Sequence, residues 1–157
     1  MDKTSYELFQ KSSEEEIISF LQNQLTSRNE SPFWAEKVIP FTQALLSVLI
    51  PLREQNLLFN PEGKAEATLT PELFFRWCDF VSLKSLAFTL AYSNESGLLV
   101  RTAIAKEKAK NYKAIEIATL ASYLARYNVN LENESLDFPI ATYNLHLGVA
   151  NVIKSFL

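Results

Sequence analysis

Glycine is scarce in this sequence, with 3 among 157 residues, and neither Asn-Gly nor Asp-Gly occurs. Tight hairpins draw on those dipeptides, so a β-rich fold has little to turn on and helix is the expected alternative. Cysteine is represented by Cys78 alone, which excludes an intrachain disulfide and a cysteine-rich metal site. Its neighbours Phe75, Trp77 and Phe80 mark it as a small buried apolar residue and not a reactive thiol. Histidine also occurs once, as His146, so no cage of several imidazoles can form. Set among Leu145, Leu147 and Val149, His146 reads as a helix-packed or partly exposed side chain, and nothing singles out a Ser or Asp to complete a triad with it.

Long apolar runs are missing too. The most apolar stretch, Val38 to Leu52, falls short of the roughly 20 residues of a membrane span and contains Pro40, Gln43 and Pro51. It is expected to be a core helix. The opening Met1-Asp2-Lys3-Thr4-Ser5-Tyr6 lacks the charged-then-apolar layout of a signal peptide. Finally, there is no cationic surplus. A formal charge of −3 and a pI near 5.3 do not suit a protein that coats DNA, although a local basic patch is still permitted.

What is present is an ordinary globular composition, 48% hydrophobic and 21% charged, with 11 Phe to fill a core. The length predicts one domain over residues 1–157. Its fold class is expected to be all-α, a compact bundle of about six to seven helices.

Helix signals recur along the chain. Ser13 and Glu16 fit a capping box, and Glu14, Glu15 and Glu16 suit the positive end of a helix dipole. Ile17, Ile18, Leu21 and Leu25 follow at helical spacing. Ser31-Pro32 is a second start, after which Trp34, Val38, Phe41, Leu45, Val48 and Leu52 recur in steps of four and three. Ile39, Leu46, Leu49 and Ile50 widen that stripe, which predicts a helix surrounded by others. Pro40 should bend it near Glu36, and Pro51 near its end.

Residues 56–69 are the most loop-like. Thr70-Pro71-Glu72 opens a helix carrying Leu73, Phe74, Trp77 and Phe80. Ser82 is the expected cap of a short helix through Leu83, Leu86, Leu90 and Tyr92, ended by Asn94-Glu95-Ser96-Gly97. From Leu98 to Tyr127 the pattern is helical with a break near Asn111, and Ile117, Leu120, Ala121 and Leu124 mark its later apolar face. Asn128 to Asp137 reads as a connection. A last helix after Pro139 carries Tyr143, Leu147, Ala150 and Ile153, with Leu145, Val149, Val152 and Phe156 beside them.

Catalytic signatures do not emerge. Gly63-Lys64 superficially resembles the end of a phosphate-binding loop, but Leu58 stands where that loop needs a glycine and Ala65 where it needs Ser or Thr. The sequence therefore predicts no catalytic, cofactor-binding or metal-ligating residue. The one candidate for partner binding is a basic cluster of Arg101, Lys106, Lys108, Lys110 and Lys113. Lys106, Lys110 and Lys113 would share one helix face and meet phosphates or an acidic protein surface, or simply solvent. Tyr112, Tyr123 and Tyr127 offer rings for base stacking, or for partial burial.

Taken in order, these segments resemble the all-α domain of type IV secretion coupling proteins, in the conjugative and Dot/Icm-like branch. The likeness begins with Phe9-Gln10-Lys11-Ser12-Ser13-Glu14-Glu15-Glu16-Ile17-Ile18-Ser19-Phe20-Leu21. A polar stretch with an aromatic pair follows, Asn29-Glu30-Ser31-Pro32-Phe33-Trp34, then a long apolar helix ending at Leu52-Arg53. After it come the Leu69-Thr70-Pro71 start and a short helix with Leu83 and Leu86. The resemblance implies a non-enzymatic recognition domain, excised from a larger ATPase that is anchored in the bacterial inner membrane and homo-oligomeric. The domain itself would lie in the cytoplasm, insert no segment into the membrane and use no cofactor. Its implied partners are adaptor, effector or relaxosome proteins, with weak contact to DNA.

A second reading is a free-standing helical adaptor or secretion chaperone, which would form a stable homodimer and bind one client. A third, an enzyme, would need carboxylates converging in a deep pocket.

Overall fold

A computed structural model describes residues 3–27, 32–62, 64–96, 115–126 and 140–156. The described residues form seven helices: α1 (Lys3–Lys11), α2 (Glu14–Ser27), α3 (Pro32–Glu54), α4 (Pro71–Arg76), α5 (Phe80–Ser96), α6 (Ala118–Ala125) and α7 (Ile140–Phe156). Among them no strand occurs, and the only β pairing is an isolated antiparallel bridge between Phe59 and Ala65. The fold is an all-α bundle.

Helix α3 is its axis. Val38, Phe41, Leu45, Val48 and Leu52 on the expected stripe are buried, and so are Leu46 and Leu49 on the face that widens it. A helix apolar on so many sides needs neighbours on all of them. It finds α2, α6 and α7. The helix continues through Pro40 and Pro51. Neither proline has an N–H to give to the carbonyls of Glu36 and Ser47, and the surrounding apolar contacts outweigh those lost bonds. Thr42, fully buried, satisfies its hydroxyl by donating to the Val38 carbonyl at 2.8 Å.

The end of α3 is a Schellman stop. Asn56 sits at φ 57°, the left-handed region that asparagine tolerates better than most residues. Its N–H donates to Arg53 O at 3.1 Å, and the Leu57 N–H donates to Leu52 O at 2.9 Å. Those two bonds occupy carbonyls that a helix end otherwise leaves open.

The start of α2 is the capping box expected from Ser13 and Glu16. The Glu16 N–H donates to Ser13 Oγ at 3.2 Å, while Glu16 Oε1 accepts from the Ser13 N–H at 3.5 Å. Ser13→Ala should lower stability by about 1 kcal/mol. A urea titration checks this, and an unchanged midpoint would show that the cap contributes nothing.

Helix α1 was not expected. It is a short, mostly polar nine-residue segment, and a helix of that length is marginal by itself in water. Tertiary contacts hold it. Phe9 is buried with its ring centroid 5.2 Å from that of Phe74. The Tyr6 hydroxyl donates to the Glu72 carboxylate, and Arg53 Nη1 donates to the Phe9 carbonyl at 2.9 Å.

Three further boundaries differ from expectation. Helix α4 stops at Arg76, so Trp77 is its C-cap and Phe80 opens the next helix. Thr70 does cap α4, accepting from the Leu73 N–H at 3.1 Å. Asp79, not Ser82, caps α5: its Oδ2 accepts from the Ser82 N–H at 3.3 Å, and its carbonyl from the Leu83 N–H at 2.9 Å. Ser82 lies three residues inside, where its N–H is one of the groups that needs a cap. Helix α5 also runs on through Asn94, Glu95 and Ser96.

On α7 the buried positions are Val149 and Ile153, with Val152 and Ala150 packed against the core, whereas Leu147 is 60% exposed. Both expected stripes thus contribute to the core, Ala150 and Ile153 from one and Val149 and Val152 from the other, and Leu147 is the member that faces solvent instead.

Between α3 and α4 the chain is loop, as expected, but an organised one. Asn60 Oδ1 accepts from the N–H groups of Glu62 and Lys64, both at 3.1 Å, and Asn60 Nδ2 donates to Glu66 Oε1 at 2.9 Å. Trp77 Nε1 donates to the Phe59 carbonyl at 3.1 Å, and Arg76 pairs with Glu62, so the loop is moored to α4 from both sides.

Candidate binding surfaces

The basic cluster of Arg101, Lys106, Lys108, Lys110 and Lys113 lies outside the described residues, as do Tyr112 and Tyr127. Tyr123 is described and is not a stacking platform. It is buried, with its ring centroid 5.7 Å from that of Phe41. Cys78 is buried as its neighbours implied, its Sγ donates to the Phe74 carbonyl at 3.3 Å, and burial pushes the thiol pKa well above its ordinary value. That thiol stays protonated and unreactive at neutral pH. His146 lies on α7.

Among the described residues no group of three or more His, Cys, Asp or Glu side chains could hold a metal ion. No helix among them is long and apolar enough to cross a membrane.

Two concave surfaces are lined by described residues. The first is a cleft of about 290 Å³ between α3 and α6, lined by Pro40, Gln43, Thr119, Ser122 and Arg126 with Tyr123 beneath. Thr119 and Ser122 fall at helical spacing on one face of α6, with its C-cap Arg126 one turn further on, and Pro40 and Gln43 do so on α3. The cleft is thus edged by hydroxyls, one amide and one guanidinium. It offers hydrogen bonds and a single positive charge, but no paired acid and base.

The second is a wider, shallower groove of about 470 Å³ between α1 and α2, lined by Leu8, Glu15, Glu16, Ser19, Phe20 and Asn23. Leu8 and Phe20 pack against the core but are only half-buried, so part of each is an apolar floor open to solvent. Glu15 and Glu16 form the rim above it, with Glu14 next to them. Burial, and secondarily the charge of Glu15, raise the Glu14 pKa above its ordinary value. A carboxyl with a raised folded-state pKa stabilises the fold most when protonated. That contribution is complete below the ordinary carboxylate range and is lost as pH rises through the folded pKa. Three carboxyl side chains thus crowd the start of α2, and the charge of Glu15 opposes the ionisation of Glu14.

Sequence reasoning identified the Glu14–Glu16 run but not the groove. The groove exists only because α1 docks alongside α2, and a nine-residue amphipathic segment is too short to declare that docking by itself. Comparisons with protein-family models, curated proteins and solved structures find no match to this chain.

Proposed function

We propose that this chain is a partner-recognition domain, the all-α substrate-recognition domain of a type IV secretion coupling ATPase, acting by surface complementarity. The observation that carries this reading is the order in which the resembling segments meet the helices. Phe9–Leu21 spans the end of α1 and the first half of α2, and Pro32 opens α3. Leu52-Arg53 closes α3, Leu69-Thr70-Pro71 leads into α4, and Leu83 and Leu86 lie buried on α5. Arg53 has a further part in the fold: it holds the Phe9 carbonyl and pairs with Glu54 at 2.7 Å.

In that setting the motor belongs to another part of the parent protein, and this domain selects the cargo. Its open concave surfaces suit protein segments. Adaptor, effector or relaxosome proteins are the partners of choice, with DNA a weaker one given the net charge of −3.

An immunoblot of fractionated source cells, with an antibody raised against this chain, tests the reading. The expected result is a band several times larger than 17.9 kDa in the membrane fraction. A soluble band at that mass would overturn it in favour of a free-standing adaptor or secretion chaperone.

A further inference from the structure

We propose that the groove between α1 and α2 is the docking site for a basic amphipathic helix of a protein partner, seated on Leu8 and Phe20 and held by Glu15 and Glu16. This rests on the reading of the chain as a partner-recognition domain and names where, and with what chemistry, recognition occurs.

The floor sets the first requirement. Leu8 from α1 and Phe20 from α2 pack against the core yet keep part of their apolar surface at the floor of the groove, where an apolar side chain of a partner would cover it. The rim sets the second. Helix-dipole and capping roles account for carboxylates somewhere in the first turn of α2, and Glu16 fills the capping role through Ser13. They do not account for Glu15 bordering an apolar floor. No cation among the described residues pairs with Glu15; the ion pairs described are Arg53 with Glu54 and Arg76 with Glu62. A partner that brings Lys or Arg to this rim and an aliphatic residue to the floor satisfies both at once.

The dimensions fit a helix. The lining positions on α2 run from Glu15 to Asn23, about 12 Å along its axis, or roughly two turns of a second helix laid beside it. Two turns present apolar anchors at i, i+4 and i+7 with cationic positions flanking them, which is the helix-in-groove mode. The exposed polar groups of Ser19 and Asn23 complete the far end. Phosphate-rich partners are disfavoured at this surface, because the rim would repel them.

The test uses the whole chain and a fluorescein-labelled helical peptide with leucines at i, i+4 and i+7 and lysines elsewhere. A second peptide of identical composition has the leucines scattered around the helix. Fluorescence anisotropy should show the first binding more tightly than the second. Glu15→Lys, at an exposed position that leaves the cap intact, should weaken it about tenfold. Phe20→Ala should weaken it as well, with its circular dichroism melt recorded to separate lost contact from lost fold. Amide chemical-shift mapping should place the peptide on Leu8, Ser19, Phe20 and Asn23.

Equal affinity for the two peptides, unchanged affinity in Glu15→Lys, or shifts confined to the α3–α6 cleft would each overturn the groove. Preferential binding of a single-stranded oligonucleotide to the same amides would do so too. Failure here leaves the immunoblot result standing, whereas a soluble band on the immunoblot overturns the coupling-protein reading and leaves the groove's affinity as measured.

Discussion

Phe74→Ala should lower the stability of this chain by about 3–5 kcal/mol, the largest loss expected from any single truncation of its core. Phe74 is fully buried on α4, a helix of only six residues, yet three other rings meet it. Its centroid lies 5.2 Å from Phe9 on α1, 6.4 Å from Phe41 on α3 and 6.3 Å from its neighbour Phe75. Phe41 in turn packs on Tyr123 of α6 at 5.7 Å. Removing the central ring deletes its transfer free energy and leaves a cavity among side chains anchored on separate helices, which cannot all collapse into it. Since a domain of this kind is stable by roughly 5–15 kcal/mol in total, the loss is a large share. Equilibrium urea unfolding should show a much lower midpoint at an unchanged slope. Phe74→Leu, which refills much of the volume, should lose less than half as much. A loss under about 1 kcal/mol for the alanine variant would show that the aromatic cluster is not the centre of the core.

That cluster explains why some of the fold was legible in the sequence and some was not. Helix α3 was legible because its 3.6-residue period persists over six turns, and a long repeat survives any single disagreement such as Pro40. The capping box at Ser13 was legible because it is local, a hydroxyl and a carboxylate three residues apart acting on each other's backbone. Helix α1 was not, because its stability comes from Phe74, Glu72 and Arg53, residues distant in the chain. The start of α5 was misplaced for a milder reason: Asp79 and Ser82 are both good caps, and only the direction of the Asp79–Ser82 bond distinguishes them. On α7 both apolar stripes were legible and both reach the core, but periodicity gave no sign that Leu147 would be left exposed, because the neighbouring helices decide where the buried arc ends.

The binding surfaces were less legible still. A groove between two helices belongs to neither sequence segment, and a half-covered Phe20 looks in the sequence like any other core phenylalanine. What could have pointed to it is the run Glu14–Glu16 with Phe20 one turn beyond Glu16, acid and aromatic on a shared face. The basic cluster from Arg101 to Lys113 is the reverse case, plain in sequence and outside the described residues. If it and the α1–α2 groove both bind, they must prefer partners of opposite charge, so salt should weaken both while no single ligand competes for the two.

Asn60→Ala should lower stability by about 2–3 kcal/mol through an irregular segment, where the usual expectation for a surface loop is near zero. Asn60 is 7% exposed, and its side chain does the work a strand partner does elsewhere. Its oxygen receives the N–H groups of Glu62 and Lys64, and its amide nitrogen holds Glu66. Alanine leaves two backbone donors and one carboxylate without those partners, around a buried position in a part-buried loop. Phe59 and its bond to Trp77 should loosen with it, so trypsin should cut after Lys64 faster than in the parent chain. Asn60→Asp separates the two halves of the role. It keeps an acceptor for both N–H groups but sets a carboxylate against Glu66. The repulsion raises the folded-state pKa of that pair, so the deficit relative to the parent should be largest at neutral pH. It should shrink as pH falls through the raised folded pKa and be gone below the unfolded carboxylate pKa. Urea midpoints for the parent and both variants, taken from about pH 7 down to about pH 3, would show this. Parallel curves for the aspartate variant would mean that Glu66 does not depend on the Asn60 amide, and equal tryptic rates for the alanine variant would mean that the loop is held by its moorings to α4 alone.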